Sequence, residues 1–430
     1  MHKLILRRER YNLLKKSLKG IESFKIVPTF SIMNFSEKIK SLSKQYFNEI
    51  VDIRRHLHAN PELSFEEYNT SAFVAKKLEE FKISYKTGYV KTGIIALIEG
   101  KNPAKKIIAL RADLDALPIK EENNIDYCST NDGVMHACGH DVHTACLLGA
   151  AKILNELRNE FEGSIKLIFQ PGEEKLPGGA SLMIKEGALE NPKPSSIIGL
   201  HVFPSMETGK VGFRSGMYMA STDEIYLTVK GKGGHGALPH LTIDPVLISA
   251  HIIVALQQIV SRNAQPTIPS VLSFGKVIAN GATNIIPNEV SLEGTFRSLN
   301  ENWRTQAHEK MIALAKGIAK SMGGECVVEI KRGYPVLYND EKLSQRAEHF
   351  AKEFLGENNV EELELRMTAE DFAYYAQQIP ACFYRLGTGN KQNGITSNVH
   401  TSTFNIDEHS IETGMGLMAW IAYKELGFAG

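Results

Sequence analysis

The sequence has no surplus of either charge: 49 Lys and Arg stand against 49 Asp and Glu in 430 residues. A chain without a net field gives no basis for a nucleic-acid or anionic-membrane partner. No apolar run comes near the roughly 18 residues that span a bilayer. Cysteine is scarce and odd in number: Cys128, Cys138, Cys146, Cys326 and Cys382, with no CxxC pair. That argues against a disulfide framework and for a reducing compartment, the cytoplasm. Internal repeats and low-complexity tracts are missing as well, which excludes a solenoid. The basic opening segment (Lys3, Arg7, Arg8, Arg10, Lys15, Lys16, Lys19, Lys25) lacks the apolar stretch and small-residue cleavage site of a secretory signal. Residues 1–35 are therefore expected to be a poorly ordered extension, with the working chain starting near Met33.

What is present is an ordinary globular composition, 43% hydrophobic and 23% charged, with length for about two to three domains. Apolar spacing predicts helices over 36–58 and 66–82. Asn60-Pro61 closes the first. Near-continuous apolar stretches at 93–98, 106–113, 164–170 and 196–203 read as strands. Alternating with helices, they predict an α/β fold: a mixed, largely parallel sheet covered by helices. From 216 to 325 the pattern becomes strand, Gly-rich loop, helix, two strands, helix. This predicts an inserted smaller α+β unit, two helices on an antiparallel sheet with one exposed edge. The main domain then comprises 36–215 and 326–430.

One stretch concentrates chemistry. Met135-His136-Ala137-Cys138-Gly139-His140-Asp141-Val142-His143 places three imidazoles, a thiol and a carboxylate on a loop entering a helix. A helix N-terminus favours anions, so Cys138 is expected to lean toward thiolate. Thiolate and imidazole together suit a borderline-soft divalent cation. In parallel sheets, chemistry collects at the carboxyl ends of strands. Arg111 and Asp113 end one strand, Glu173 and Glu174 follow another, and His201 lies late in a fourth. Of two adjacent glutamates, one can bind metal while the other acts as general base. Taken singly, each has a plainer reading. Paired glutamates are common on solvated surfaces, and His201 in an apolar strand equally reads as a core histidine. His400 in a polar loop is ambiguous. His56 and His58 read as partners of a helix C-terminus.

Taken together, these residues resemble the M20 metallopeptidase family, most closely its amidohydrolase branch (hippurate hydrolase, N-acyl-amino-acid amidohydrolases, plant auxin-conjugate hydrolases). The resemblance runs from about residue 45 to the C-terminus. Its motifs are Arg54-Arg55-His56-Leu57-His58 with Pro61-Glu62-Leu63, and the stretches 110–118, 136–143, 170–174, 199–204, 231–237, 281–287, 369–373 and 399–400. It implies a two-metal site with Cys138, His140, Glu174, His201 and His400 as ligands, Cys138 bridging the ions. The ions would be Mn²⁺, Zn²⁺, Ni²⁺ or Co²⁺. Glu173 matches the general base. Elsewhere in the family a His-x-Asp motif supplies a ligand histidine; here the slot reads Arg111-Ala112-Asp113, and His140 is expected to replace it. Asp113 would then orient a ligand histidine, or serve as a turn carboxylate. The smaller unit matches a dimerisation or lid domain, so a homodimer is expected. His235 matches a residue that reaches the neighbouring subunit's site to steady the oxyanion. Asn284 and Arg297 match substrate contacts. His136, His143, His240 and His251 are left as structural. The implied activity is metal-dependent hydrolysis of N-acyl amino acids. A dipeptidase or carboxypeptidase of the same family competes with it, as does a metal-loaded scaffold without turnover.

Overall fold

The computed structural model describes residues 34–427, so most of the expected N-terminal extension lies outside the described residues. In chain order the main elements are α1 (Phe35–Ala59), α2 (Tyr68–Glu80), β1 (Ser84–Tyr89), β2 (Gly93–Glu99), β3 (Ile107–Asp113), α3 (His140–Glu156), β4 (Ser164–Gln170), α4 (Gly179–Lys185) and β5 (Ile197–Glu207). Then come β6 (Val211–Phe213), β7 (Gly216–Met219), β8 (Ser221–Lys230), β9 (Gly234–His235), α5 (Pro245–Leu256), β10 (Ser270–Ile278), β11 (Ile285–Ile286), β12 (Glu289–Ser298) and α6 (Glu301–Ser321). The chain ends with β13 (Glu325–Arg332), β14 (Leu337–Asn339), α7 (Glu341–Leu355), β15 (Val360–Glu362), α8 (Ala373–Ala376), β16 (Ala381–Gly389) and α9 (Ser410–Gly427).

Two kinds of strand build the two main sheets, beside two short two-stranded ones, β9-β11 and β7-β14. All seven residues of β4 are buried, as expected where helices cover both faces. β8 instead alternates buried and half-buried positions along its length, the mark of a sheet with one covered face. The larger sheet runs β1-β2-β4-β3-β5-β16-β6-β15. Its central strands β4, β3, β5 and β16 are mutually parallel, and β1, β2 and β6 add antiparallel pairings at the flanks. The mixed, largely parallel α/β sheet read from the sequence is therefore present. β16, a nine-residue strand buried throughout, sits between β5 and β6; the apolar pattern had not marked it, because Arg385 interrupts it.

The smaller sheet runs β10-β12-β8-β13, antiparallel throughout. Ile225, Leu227 and Val229 of β8 pack with Ile248 and Ile252 of α5 and Met311 and Ala315 of α6 in a core of their own. One expectation needs correction. β13 pairs along its whole length with β8, so the smaller sheet has four strands and two open edges, and it continues past residue 325. The alternating strand Glu325–Arg332 belongs to a one-faced sheet, which the boundary drawn at 325 cut off. A second correction concerns apolar runs. The segment Pro245–Asn263 is long and apolar enough to cross a membrane by length and composition. Here one of its faces, Ile248, Ile252, Leu256 and Ile259, is buried in the smaller core. All five cysteines are free thiols.

Candidate active site

The carboxyl ends of the parallel strands deliver most of the site. β3 ends at Asp113, β4 ends at Gln170 and runs into Pro171-Gly172-Glu173-Glu174, and β5 carries His201. The loop into α3 supplies the rest. Gly139 adopts φ 81°, and a Cβ there would lie 2.5 Å from Val202 Cγ2. Only glycine makes that turn at no steric cost. Cys138 and His140 on either side of it are both buried.

Five side chains converge. Cys138 Sγ lies 3.4 Å from His201 Nε2, and His400 Nε2 lies 3.0 Å from Glu174 Oε1. Donor atoms of Cys138, His140 and His201 fall within 4.8 Å of one another, and so do those of Cys138, Glu174 and His400. The two groups share Cys138. Glu173 forms a further group with His140 and Glu174.

The imidazoles are oriented for coordination. His140 donates its Nδ1–H to Asp115 Oδ1 at 3.2 Å, which leaves Nε2 buried with no hydrogen-bond partner. His201 donates Nδ1–H to the Val202 carbonyl at 2.8 Å and turns Nε2 toward Cys138. A ring held at one nitrogen and bare at the other is set to receive a cation. The thiol, imidazoles and carboxylate therefore fit divalent transition-metal ions. His143 is different. Its Nε2 accepts from Val202 N–H at 2.9 Å and its Nδ1 donates to Asp113 Oδ1 at 2.6 Å, so both nitrogens are used. Asp113 thus orients His143, while its Oδ2 is 3.7 Å from His140 Nε2. The orienting carboxylate of His140 is Asp115. His58, read as a helix-end partner, is instead buried between Asp141 at 2.8 Å and Glu121 at 3.1 Å.

Arg111 occupies the slot of the missing histidine as a charge hub. It is wholly buried and donates to Asp113 (2.6 Å), Gln170 (2.9 Å), Glu370 (3.1 Å) and Asp371 (2.8 Å). Asp371 N–H in turn donates to Glu173 Oε1 at 3.3 Å. Burial, then the charges of Glu370 and Glu174, push the Glu173 carboxyl well above the usual range. Burial would also raise Asp113, but His140, Arg111 and His143 outweigh it and hold it well below that range. The Cys138 thiol is pushed up by burial and by Glu174. The helix end therefore does not make it a thiolate unaided, contrary to expectation; a cation would have to. Hydrogen bonds to Cys138 and Glu174 raise His400 to about 10.

A cavity of about 780 Å³ opens onto this cluster. Cys138, Glu173, Glu174, His201 and His400 line it, as do Thr222, Arg297 and Lys331 from the smaller sheet. Arg297 is thus brought to the site. His235 and Asn284 are not: both are exposed, where β9 pairs with β11 and Gly236 N–H donates to Asn284 O. Asp115, Glu370, Asp371 and Arg385 were missed as site residues. Asp115 and the Glu370-Asp371 pair lie inside motifs already noted, yet no local pattern names their partners.

The profile of peptidase family M20/M25/M40 matches residues 109–424. The N-acyl-L-amino acid amidohydrolase of Geobacillus stearothermophilus is 42% identical over 306 residues, 71% of this chain and 82% of that protein. Thermostable carboxypeptidase 2 of Saccharolobus solfataricus is 38% identical over 91% of this chain and 99% of its own. Among solved structures, the Bacillus subtilis YXEP protein, a dinuclear metal binding peptidase from the M20 family, aligns with a TM-score of 0.76. That alignment has 33% identity and covers 90% of this chain and 100% of the other. With this family match and a donor cluster at the carboxyl ends of its parallel strands, the chain belongs to peptidase family M20/M25/M40, as a metal-dependent hydrolase of C–N bonds.

Proposed function

We propose that the protein hydrolyses the amide of N-acyl amino acids, using two divalent cations per subunit, Mn²⁺, Zn²⁺, Ni²⁺ or Co²⁺. The observation that carries this reading is the shared thiol: two donor groups, one with His140 and His201 and one with Glu174 and His400, meet at Cys138. Bound there, the cations would polarise the acyl carbonyl and acidify a water. The charge of the cations would offset the burial and neighbouring carboxylates that raise Glu173, so that Glu173, in the same cavity, takes the proton of the attacking water on its carboxylate and returns it to the leaving nitrogen. Asp115 holds His140 in the tautomer that presents Nε2, and Asp113 fixes His143 behind it. Arg297 contacts substrate in its own subunit, and Asn284 does so from the second copy.

The smaller sheet with α5 and α6 is the lid and dimer face of this reading. Leu238, Leu241, Leu247 and Val254 are exposed there, an apolar surface suited to a second copy. His235 faces solvent in one subunit and serves the oxyanion in the other. The free thiols fit a cytoplasmic enzyme.

A second reading, a carboxypeptidase or dipeptidase, draws on the carboxypeptidase among the relatives. A hydrolysis panel decides: N-acetyl and N-benzoyl amino acids against dipeptides, after reconstitution with each metal. Turnover of the acyl amino acids supports the proposal. Dipeptides cleaved with acyl amino acids untouched would replace it.

A further inference from the structure

Four arginines of the described chain are buried: Arg54 and Arg111 at 0% exposure, Arg304 at 1% and Arg385 at 3%. Three of them face carboxylates, Arg54 on Asp141, Arg111 on Asp113 and Asp371, and Arg304 on Asp223. Among the described residues Arg385 forms no ion pair with a carboxylate, although Glu370 lies near enough to feel its charge. Its Nε donates to Tyr218 Oη at 2.8 Å and its Nη2 reaches Met219 Sδ at 3.2 Å. The guanidinium also lies over the rings of Phe383 and Tyr218, at 5.4 and 5.7 Å from their centroids. Neutral partners fix its direction, and Glu370, the carboxylate that senses its charge, is already paired with Arg111. A buried charge without a counter-charge is costly, and arginine does not shed its proton to escape that cost.

The cavity gives a balancing charge a way in. Arg385 lines the cavity that holds the metal-ligand cluster, and the β5–β16 register sets it opposite His201. Arg366, half-buried, lines the same cavity. It lies 5.0 Å from the Phe203 ring centroid and has only a long 3.5 Å contact to Thr368 Oγ1. Glu370 shares that wall but is engaged by Arg111. Arg297 approaches from the smaller sheet.

The structure assigns to Arg385, with Arg366 beside it, a carboxylate-binding subsite of the substrate cavity, on the larger-sheet wall and separate from Arg297. The guanidinium fork matches a carboxylate in two-point contact. The assignment rests on the amide-hydrolase reading for the substrate, and on charge and burial for the anion. Two carboxylates qualify: the α-carboxylate of the amine half, or one at the far end of the acyl half.

Three substrates separate them: N-acetylalanine, N-acetylalaninamide and N-succinylalaninamide. Arg385→Met is expected to raise KM roughly 10- to 100-fold for a carboxylate-bearing substrate, with kcat nearly kept and the neutral amide unaffected. A loss confined to N-acetylalanine places the α-carboxylate at Arg385; a loss confined to N-succinylalaninamide places the acyl end there. An equal loss on all three, or on none, overturns the subsite. Arg385→Lys keeps the charge and should retain most of the preference; if Arg385→Met does not fold, Arg366→Met gives the same comparison. A second arm needs no turnover. Succinate should raise the melting temperature of chelator-treated wild-type protein and not that of Arg385→Met or Arg366→Met. Equal shifts in wild type and variants, or none in wild type, would overturn the subsite even if the substrate reading stands. A shift lost only in the variants upholds it even if no acyl amino acid is cleaved.

Discussion

Asp115 shows how much of the site hangs on single carboxylates. Its Oδ2 accepts from Ser64 Oγ at 2.6 Å and from Glu174 N–H at 3.0 Å, while Oδ1 holds His140. One side chain thus positions two of the proposed ligands. Asp115→Asn turns one acceptor into a donor, which opposes one of these bonds. Metal affinity should fall about 10- to 100-fold, read by elemental analysis after dialysis against a graded chelator; an unchanged metal count would remove Asp115 from that role. Glu173→Gln makes the complementary case. It should keep both ions and lose about 10²- to 10⁴-fold in rate, and turnover near wild type would show that the base lies elsewhere. The side chains that converge in the cluster could be picked out from the chain because a thiol and imidazoles two residues apart are rare, and because the strand ends place glutamates and His201 where chemistry collects. Asp115 and Arg385 could not. Their meaning lies in what they meet or fail to meet across the fold, and an arginine in an apolar strand looks like an interruption until its neighbours are known.

At the scale of elements, the loop after β4 matters most, because it carries Glu173 and Glu174. Glu67 pins it. The buried Glu67 Oε1 accepts from Gly172 N–H and Phe65 N–H, both at 2.8 Å, and Oε2 accepts from Thr92 Oγ1 at 2.7 Å. Gly172 adopts φ 62°, and a Cβ there would sit 2.3 Å from the Phe65 ring, so no residue with a side chain fits at this turn. Burial, with Asp115 nearby, raises Glu67 from 4.5 to about 7. Between those values the folded protein keeps a proton that the unfolded chain has released. Its contribution to stability is therefore complete below pH 4.5 and is lost as pH rises through about 7. Glu67→Gln can keep the same contacts and should flatten that part of the profile, measured by denaturant unfolding across this range. An unaltered slope would place the titration in another group. Five helices (α1, α2, α3, α5 and α6) and seven strands (β2, β3, β4, β5, β8, β10 and β12) were readable because their apolar pattern is uninterrupted. β13 and β16 were not. One alternates too weakly beyond Cys326, and the other carries a cation in its middle.

For the whole molecule, the question is whether one chain completes a site. His235 and Asn284 are exposed and away from the cavity lining, so a second copy is required on the proposed reading. His235→Ala and Glu173→Gln should each be nearly inactive as pure proteins. Unfolded together in equal amounts and refolded, they should recover about a quarter of wild-type activity, because half the dimers are mixed and each holds one intact site. No recovery, with mixed dimers demonstrated by size and mass, would mean that His235 serves its own subunit or none.

The place of β16 has a consequence for how the protein is made. The strand that fills the middle of the larger sheet, next to β5, is drawn from residues 381–389, and His400 follows it. During synthesis β5 emerges long before β16, so the growing polypeptide carries an open apolar seam on that side of β5 until residues 381–389 have been made. The proposed ligand set, which includes His400, is incomplete before then. A message cut short anywhere upstream yields an unzipped sheet for chaperones and proteases to clear, rather than a weak enzyme.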